Sequence, residues 1–242
     1  MARLPRLVVP GQLHLVLQRA PAGSVVFRQD EDFASYRRAL GAAAAEHGVA
    51  LHAYAITPAQ VLLLVTPSSA TGPSRMLQAV GRRFGSDYNR RHGRTGALWD
   101  GRFRATVVDP AHLMDASRYV ETAPVRAGAA AEPGEYAWSS AAHHLGARAD
   151  PDIAEHPRHW LLGNTPFERE AAYRHLLEQP LPAALLARLD DAAAKGWALG
   201  DAAFVKRLAG QATRRVAPLA RGRPRSGDKT VPKTQSGAGK SR

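Results

Sequence analysis

Residues 12 to 19, QLHLVLQR, alternate apolar and polar side chains as a half-buried strand does. A PAGS turn follows, and VVF at 25–27 offers a short strand pairing back. From Asp30 the period changes. An acidic first turn, DEDF, opens ASYRRALGAAAAEHG, where Phe33, Tyr36 and Leu40 share a helical face and Gly48 marks the stop. Two apolar runs, VALHAYAITP and AQVLLLVTP, then read as strands. GPSRMLQAVGRRFGSDYNRRHGRTG places Met76, Leu77, Val80 and Phe84 at helical spacing before a glycine-punctuated basic loop. LWDGRFRATVVD reads as a strand returning to the sheet. Pro110 opens another helix, which stops before Pro124 because proline cannot continue the ladder. EYAWSSAAHHLG closes this unit near residue 147. Strand, helix, strand, strand, helix, strand predicts an α+β fold.

The Pro-, Asp- and His-rich ARADPDIAEHPRHW reads as a linker with its histidines in solvent. Beyond it, FEREAAYRHLLEQ, PAALLARLDDAAAKG and DAAFVKRLAGQATRR predict helices. Leu176, Leu177, Leu185, Leu186 and Leu189 give them apolar stripes that pack on each other or on the first unit. After Pro218 the chain is rich in proline, glycine and cations, and disorder is expected. The predicted organisation is therefore 1–147, a helical extension over 148–217, and a basic tail over 218–242.

Composition narrows the classes. Hydrophobic residues at 45% with 22% charged fit a soluble globular chain. No apolar run approaches the roughly 20 residues that span a bilayer, and the N-terminus lacks a signal-peptide core, so a cytoplasmic location is expected. The absence of cysteine removes disulfides, thiolate zinc sites and cysteine nucleophiles. Lys plus Arg number 33 against 21 Asp plus Glu, a formal charge of +12, which attracts polyanions and points to nucleic acid.

The cations are concentrated. Arg82, Arg83, Arg90, Arg91, Arg94, Arg102 and Arg104 interleave with Phe84, Tyr88, Trp99 and Phe103. Arginine forks pair with phosphate oxygens and aromatic faces stack on unpaired bases, a mixture suited to single-stranded or hairpin nucleic acid. In the tail, RGRPR at 221–225 matches an AT-hook core, in which Arg221, Arg223 and Arg225 would lie in the narrow minor groove of flanking A·T-rich duplex. No Walker loop, G-x-S-x-G elbow or H-E-x-x-H occurs. Asp190 and Asp191 read as a charged helix face.

HLVLQR, LHAYAITPAQVLLLVTP, GRRFGSDYNRRHGRTGALWDGRFRATVVD, SRYVETAPVRAG and YAWSS occur in order across residues 12 to 147. Together they resemble the REP-associated tyrosine transposases, a branch of the single-tyrosine HUH transposases of small insertion sequences. GWALGDAAFVKRL and RGRPR are similar to that family's C-terminal extension. The resemblance implies a ferredoxin-like antiparallel sheet flanked by helices. It also implies a His-hydrophobe-His pair on a central strand, a helical tyrosine, and an amide four residues beyond that tyrosine. Those ligands would hold Mg or Mn against the scissile phosphate of hairpin or single-stranded DNA, and the tyrosine would attack to leave a 5′-phosphotyrosine. A phenol with a pKa near 10 needs such help at neutral pH.

Residue by residue, Tyr119 falls on the nucleophile. Gln60 and Leu62 fall on the histidines, with Ala59 ahead of them, and Ala123 falls on the amide. Leucine and alanine carry no donor, and one carboxamide is a weak neutral ligand. No metal site is expected at these positions. Arg118 and Arg126 would flank the former cleft. The leading expectation is a DNA-binding protein that has lost metal-dependent nicking, with no cofactor. An active transposase with a displaced Mg or Mn site, using His14 and His52, stays open, as does an RNA-binding relic.

Overall fold

The computed structural model describes residues 5–218. Four strands, β1 (Leu13–Arg19), β2 (Val49–Thr57), β3 (Gln60–Pro67) and β4 (Arg104–Val108), form one antiparallel sheet in the order β2-β3-β1-β4. Helices α1 (Asp30–Glu46) and α2 (Gly72–Arg91) connect β1 to β2 and β3 to β4. This is the ferredoxin-like arrangement, and the α+β expectation holds.

Strand alternation sorts the side chains onto two faces. Val16, Val61, Leu63 and Val65 join Tyr36, Leu40, Met76, Val80 and Phe84 in a core under α1 and α2. Leu13, Leu15, Leu17, Leu62 and Leu64 face the other way. They meet α3 (Leu113–Glu121), α4 (Ala123–Arg126) and α7 (Ala183–Lys195). The register of β2 against β3 shifts between Leu51 and Ala53, so a bulge sits at His52.

Local chemistry sets the element ends. Gln29 and Asp32 form a capping box that starts α1, and acidic residues in the first turn complement the helix dipole. Asp109 caps the 3₁₀ turn Pro110–His112 that leads into α3. Pro124 does not follow a free chain end. It occupies the first turn of α4, where proline's missing N–H costs nothing.

Three sequence expectations give way. Val25–Phe27 is not a strand, because the amides of Val26 and Phe27 both donate to the Pro58 carbonyl at the β2–β3 turn. Residues 98–103 are irregular, and the returning strand begins only at Arg104. The 147–160 segment is not a loose linker. Arg37 pairs with Asp150 and with Asp152 (2.6 Å), the Tyr54 hydroxyl donates to Asp150 (2.8 Å), and Ile153 bridges to Leu51.

The extension comprises α6 (Pro166–Glu178), α7 and α8 (Ala202–Ala209), and it is fused to the sheet unit. Leu189, Ala192 and Ala193 of α7 are buried against the second face. The Thr106 hydroxyl on β4 donates to the Ala192 carbonyl at 2.5 Å. Leu199 hydrogen-bonds both ways with the β4 edge, through Val107 and Asp109, which shields an otherwise open strand. Phe204 and Leu208 of α8 pack with Leu7, Val9 and Val107.

A buried carboxylate joins the units. Glu121 at the end of α3 is fully buried and accepts from Ser140, from His144 Nδ1 (2.6 Å) and from the Tyr173 hydroxyl of α6 (2.7 Å). Burial alone would raise its pKa. The charge of His144 and these hydrogen bonds instead hold it below the usual carboxylate range. His144 belongs to α5 (Ala141–His144). His159, expected in solvent, is buried between the rings of His144 (4.9 Å) and Tyr173 (5.4 Å). No helix among the described residues is long and apolar enough to cross a membrane.

Candidate nucleic-acid interface and the buried tyrosine

Three of the four positions that the sequence resemblance singles out, all but Gln60, lie in one cluster. Leu62 on β3, Tyr119 on α3 and Ala123 on α4 share one apolar cluster with Leu15, Leu17 and Ala55. Leu189, Ala192 and Ala193 of α7 complete it. Tyr119 is 2% exposed. Its hydroxyl donates to Asp190 Oδ1 of α7 at 2.7 Å. Arg126 places its guanidinium 4.6 Å from the centre of the phenol ring and donates to the Tyr119 carbonyl at 2.7 Å. Burial, and then the hydrogen bond to Asp190 and its charge, push the phenol well above its ordinary pKa.

Asp190 is therefore more than a charged helix face. It is exposed on α7, yet its carboxylate caps the one polar atom of the buried tyrosine. The sequence signal was its place beside Leu189 in an i, i+3, i+4 apolar stripe, which aims the flanking residue at whatever that stripe packs on. Nothing in the sequence named Tyr119 as the partner.

Residues suited to a divalent ion are not assembled here. Leu62 and Ala123 have no donor atoms, and the half-buried Gln60 stands at the sheet end, paired with Arg19 and Thr57. Magnesium and manganese take hard oxygen and imidazole ligands in numbers that one carboxamide cannot supply. His14 and His52 do not form a substitute pair. Val9 N–H donates to His14 Nε2 (3.1 Å), and its Nδ1 reaches the Gln12 carbonyl (2.7 Å). His52 engages the Ala154 carbonyl through Nδ1 (2.6 Å) and Thr66 Oγ1 through Nε2 (2.8 Å). Strand alternation sets His14 on the α1–α2 face with Val16, whereas Thr66, the His52 partner, shares the Leu62 face. Burial lowers both imidazoles to about 4, so both are neutral at pH 7. Among the described residues no group of three His, Cys, Asp or Glu is placed to hold an ion.

The arginines divide into bound and open ones. Arg91 is held by Asp32 (2.7 Å) and Asp87 (2.9 Å), which fixes the end of α2 to α1. Arg118 is buried and donates to the Gln179 carbonyl at 2.5 Å. Neither presents an open fork to a ligand. Arg83 pairs with Glu46 at 2.6 Å and Arg90 with Asp87, both at the surface, where such pairs exchange readily. Arg94 reaches the Ala97 carbonyl (3.3 Å). Arg82, Arg102 and Arg104 are exposed. Arg221, Arg223 and Arg225 lie outside the described residues.

Arg82 stands on the wall of a groove between α2 and the 96–101 loop, a cavity of about 640 Å³ that also has Ser86, Asn89 and Trp99 on its walls. Gly96 and Gly101 have φ of +89° and +68°, and the space beside each is open. The loop needs glycine for its conformation, and the groove stays wide as a result. Trp99 is half-buried and backs onto Phe27 and Tyr36 (6.0 Å each), so the aromatic residues of this segment belong to the core before any ligand.

No protein-family model matches the chain, and no curated protein matches it by sequence. Among solved structures, a REP-associated tyrosine transposase bound to a REP hairpin is similar with a TM-score of 0.51 at 13% identity, covering 64% of this chain and 92% of that one. The fold is that of a REP-associated tyrosine transposase. A candidate transposase from Deinococcus radiodurans is similar at 22% identity with a TM-score of 0.35, covering 50% of this chain and 97% of the other.

Proposed function

We propose that this chain binds hairpin or single-stranded DNA through the groove beside α2 that carries Arg82 and through neighbouring exposed arginines, and that it no longer cuts that DNA by metal-assisted tyrosine attack. One observation carries the second half. Leu62, Tyr119 and Ala123 lie together in an apolar cluster under α7, with the Asp190 carboxylate 2.7 Å from the phenol oxygen. A phosphate approaching that oxygen meets the like charge of Asp190, while the Arg126 guanidinium is engaged on the ring face and with the Tyr119 carbonyl. The first half is supported by the fold, the formal charge of +12 and the exposed Arg82, Arg102 and Arg104. The tail arginines Arg221, Arg223 and Arg225 would add contacts to flanking duplex.

The test is incubation with a labelled DNA hairpin carrying single-stranded flanks, with Mn present. The expected result is salt-sensitive binding without a covalent protein–DNA product. An adduct that forms in the parent protein and disappears in Tyr119→Phe overturns the loss of cutting. The same contact supports a second reading, in which Asp190 acts as a general base that takes the phenol proton. In that case Asp190→Asn abolishes the adduct as well. An RNA hairpin of the same sequence binding as tightly as the DNA overturns the assignment to DNA.

A further inference from the structure

A second cavity, of about 170 Å³, lies where the sheet edge meets the extension. Arg102 comes from the irregular segment before β4, Arg104 from the first position of β4, Arg6 from the N-terminal segment, and Lys195, Trp197 and Arg214 from the extension. Five of these six are cations, and no acidic residue lines the cavity. Two of the cations are fixed by carbonyl oxygens. Arg6 Nε donates to the Phe103 carbonyl (3.2 Å), with its guanidinium 3.9 Å from that ring centre. Arg214 donates to the carbonyls of Gly196 (2.6 Å) and Arg215 (2.9 Å) and stands 5.1 Å from the Trp197 ring centre. The Gly196 contact caps the carbonyl end of α7, whose partial negative charge would otherwise repel an anion. Arg102 and Arg104 are exposed with no carboxylate partner among the described residues, and Lys195 reaches only the exposed Asp191 (2.5 Å).

The place matters as much as the charge. Arg104 pairs with Leu17, which pairs with Leu62, so the three form one row across the sheet. Two strand spacings put Arg104 about 10 Å from Leu62, on the same face as Tyr119. We propose that this cavity seats one backbone phosphate of a single-stranded DNA segment, gripped by Arg102, Arg104 and Lys195, with the neighbouring base against Trp197. Open guanidinium and ammonium groups suit a phosphodiester through charge-assisted hydrogen bonds, and the volume of about 170 Å³ admits one phosphate group and not a duplex end. The proposal rests on the DNA-binding reading and extends it to the extension.

The experiment measures binding of a flanked hairpin in which single linkages of the flank are replaced, one at a time, by uncharged methylphosphonate. For the parent protein, one linkage is expected to weaken binding about fivefold, the scale of one phosphate contact. In the double variant Arg102→Gln/Lys195→Gln, that linkage is expected to cost nothing further. In Arg82→Gln, whose side chain lines the other groove, the penalty stays. Equal penalties in the parent and the double variant overturn the phosphate seat while leaving DNA binding intact. A parent protein that binds no hairpin overturns both readings. Inorganic phosphate that competes for the parent but not for the double variant, with linkage penalties unchanged, assigns the cavity to a free anion and overturns its role with DNA.

Discussion

Tyr119 owes its position to two kinds of contact. Its ring fills the cluster around Leu62 and Ala123, and its hydroxyl has Asp190 as acceptor. A tyrosine in such a place is retained by packing whether or not it reacts. Tyr119→Phe is therefore expected to fold, with a loss of about 0.5–1.5 kcal/mol from the missing hydrogen bond. In a double-mutant cycle, Tyr119→Phe and Asp190→Ala should be non-additive in urea denaturation, and full additivity would deny the contact any energetic weight. His14 and His52 make a different statement. Unfolded, each takes up a proton near 6.5; folded, burial holds each at about 4. Between those values the unfolded chain binds more protons, so stability falls as pH falls, by up to about 1.4 kcal/mol per pH unit for each histidine. Denaturation at pH 7.5 and 5.0 checks the sign, and His52→Gln is expected to flatten the slope. Leu62, Tyr119 and Ala123 were named together only through the family resemblance, which marks positions far apart in the chain. Asp190 was not, since its role depends on a contact 71 residues away in the chain.

At the scale of elements, α7 does the covering. Leu189 is fully buried, and its side chain meets the sheet face that carries Leu62. Leu189→Ala is expected to cost about 2–5 kcal/mol and to lower a single melting transition. Two transitions, only one of them shifted, would mean that the extension and the sheet unit melt separately. The strands and α1 to α3 could be read from period and punctuation, because burial on one face imposes a period of 2 or 3.6 on the sequence. The 147–160 segment could not. Its hold on the protein comes from Arg37, Tyr54, Leu51 and the ring stack around His159, all supplied from elsewhere in the chain. A composition of Pro, Asp and His reads as solvent-facing when those partners are out of view. The same holds for VVF, where the Val26 and Phe27 amides donate to the Pro58 carbonyl and not to a partner strand.

The molecule as a whole carries a formal charge of +12, and its open arginines lie along α2 and the start of β4. Binding to a flanked hairpin is expected to weaken steeply with salt. A plot of log Kd against log salt should have a slope of about 3, if four or more single-strand phosphates are contacted at about 0.7 each. A flat plot would count against a phosphate-reading surface. Charge and fold class were legible from composition and pattern, but which arginines are open was not, because Arg91 and Arg118 look the same in sequence as Arg82 and Arg104. The covering of the Leu62-bearing sheet face by α7, over β1 and β4, also bears on synthesis. A ribosome that has released the sheet strands and α3 has not yet released Leu189 and Ala192, nor Tyr173, the last donor to Glu121. The nascent sheet must wait, part of one greasy side bare, for about seventy further residues to emerge before it can settle, and a holdase chaperone would find its natural client in that interval.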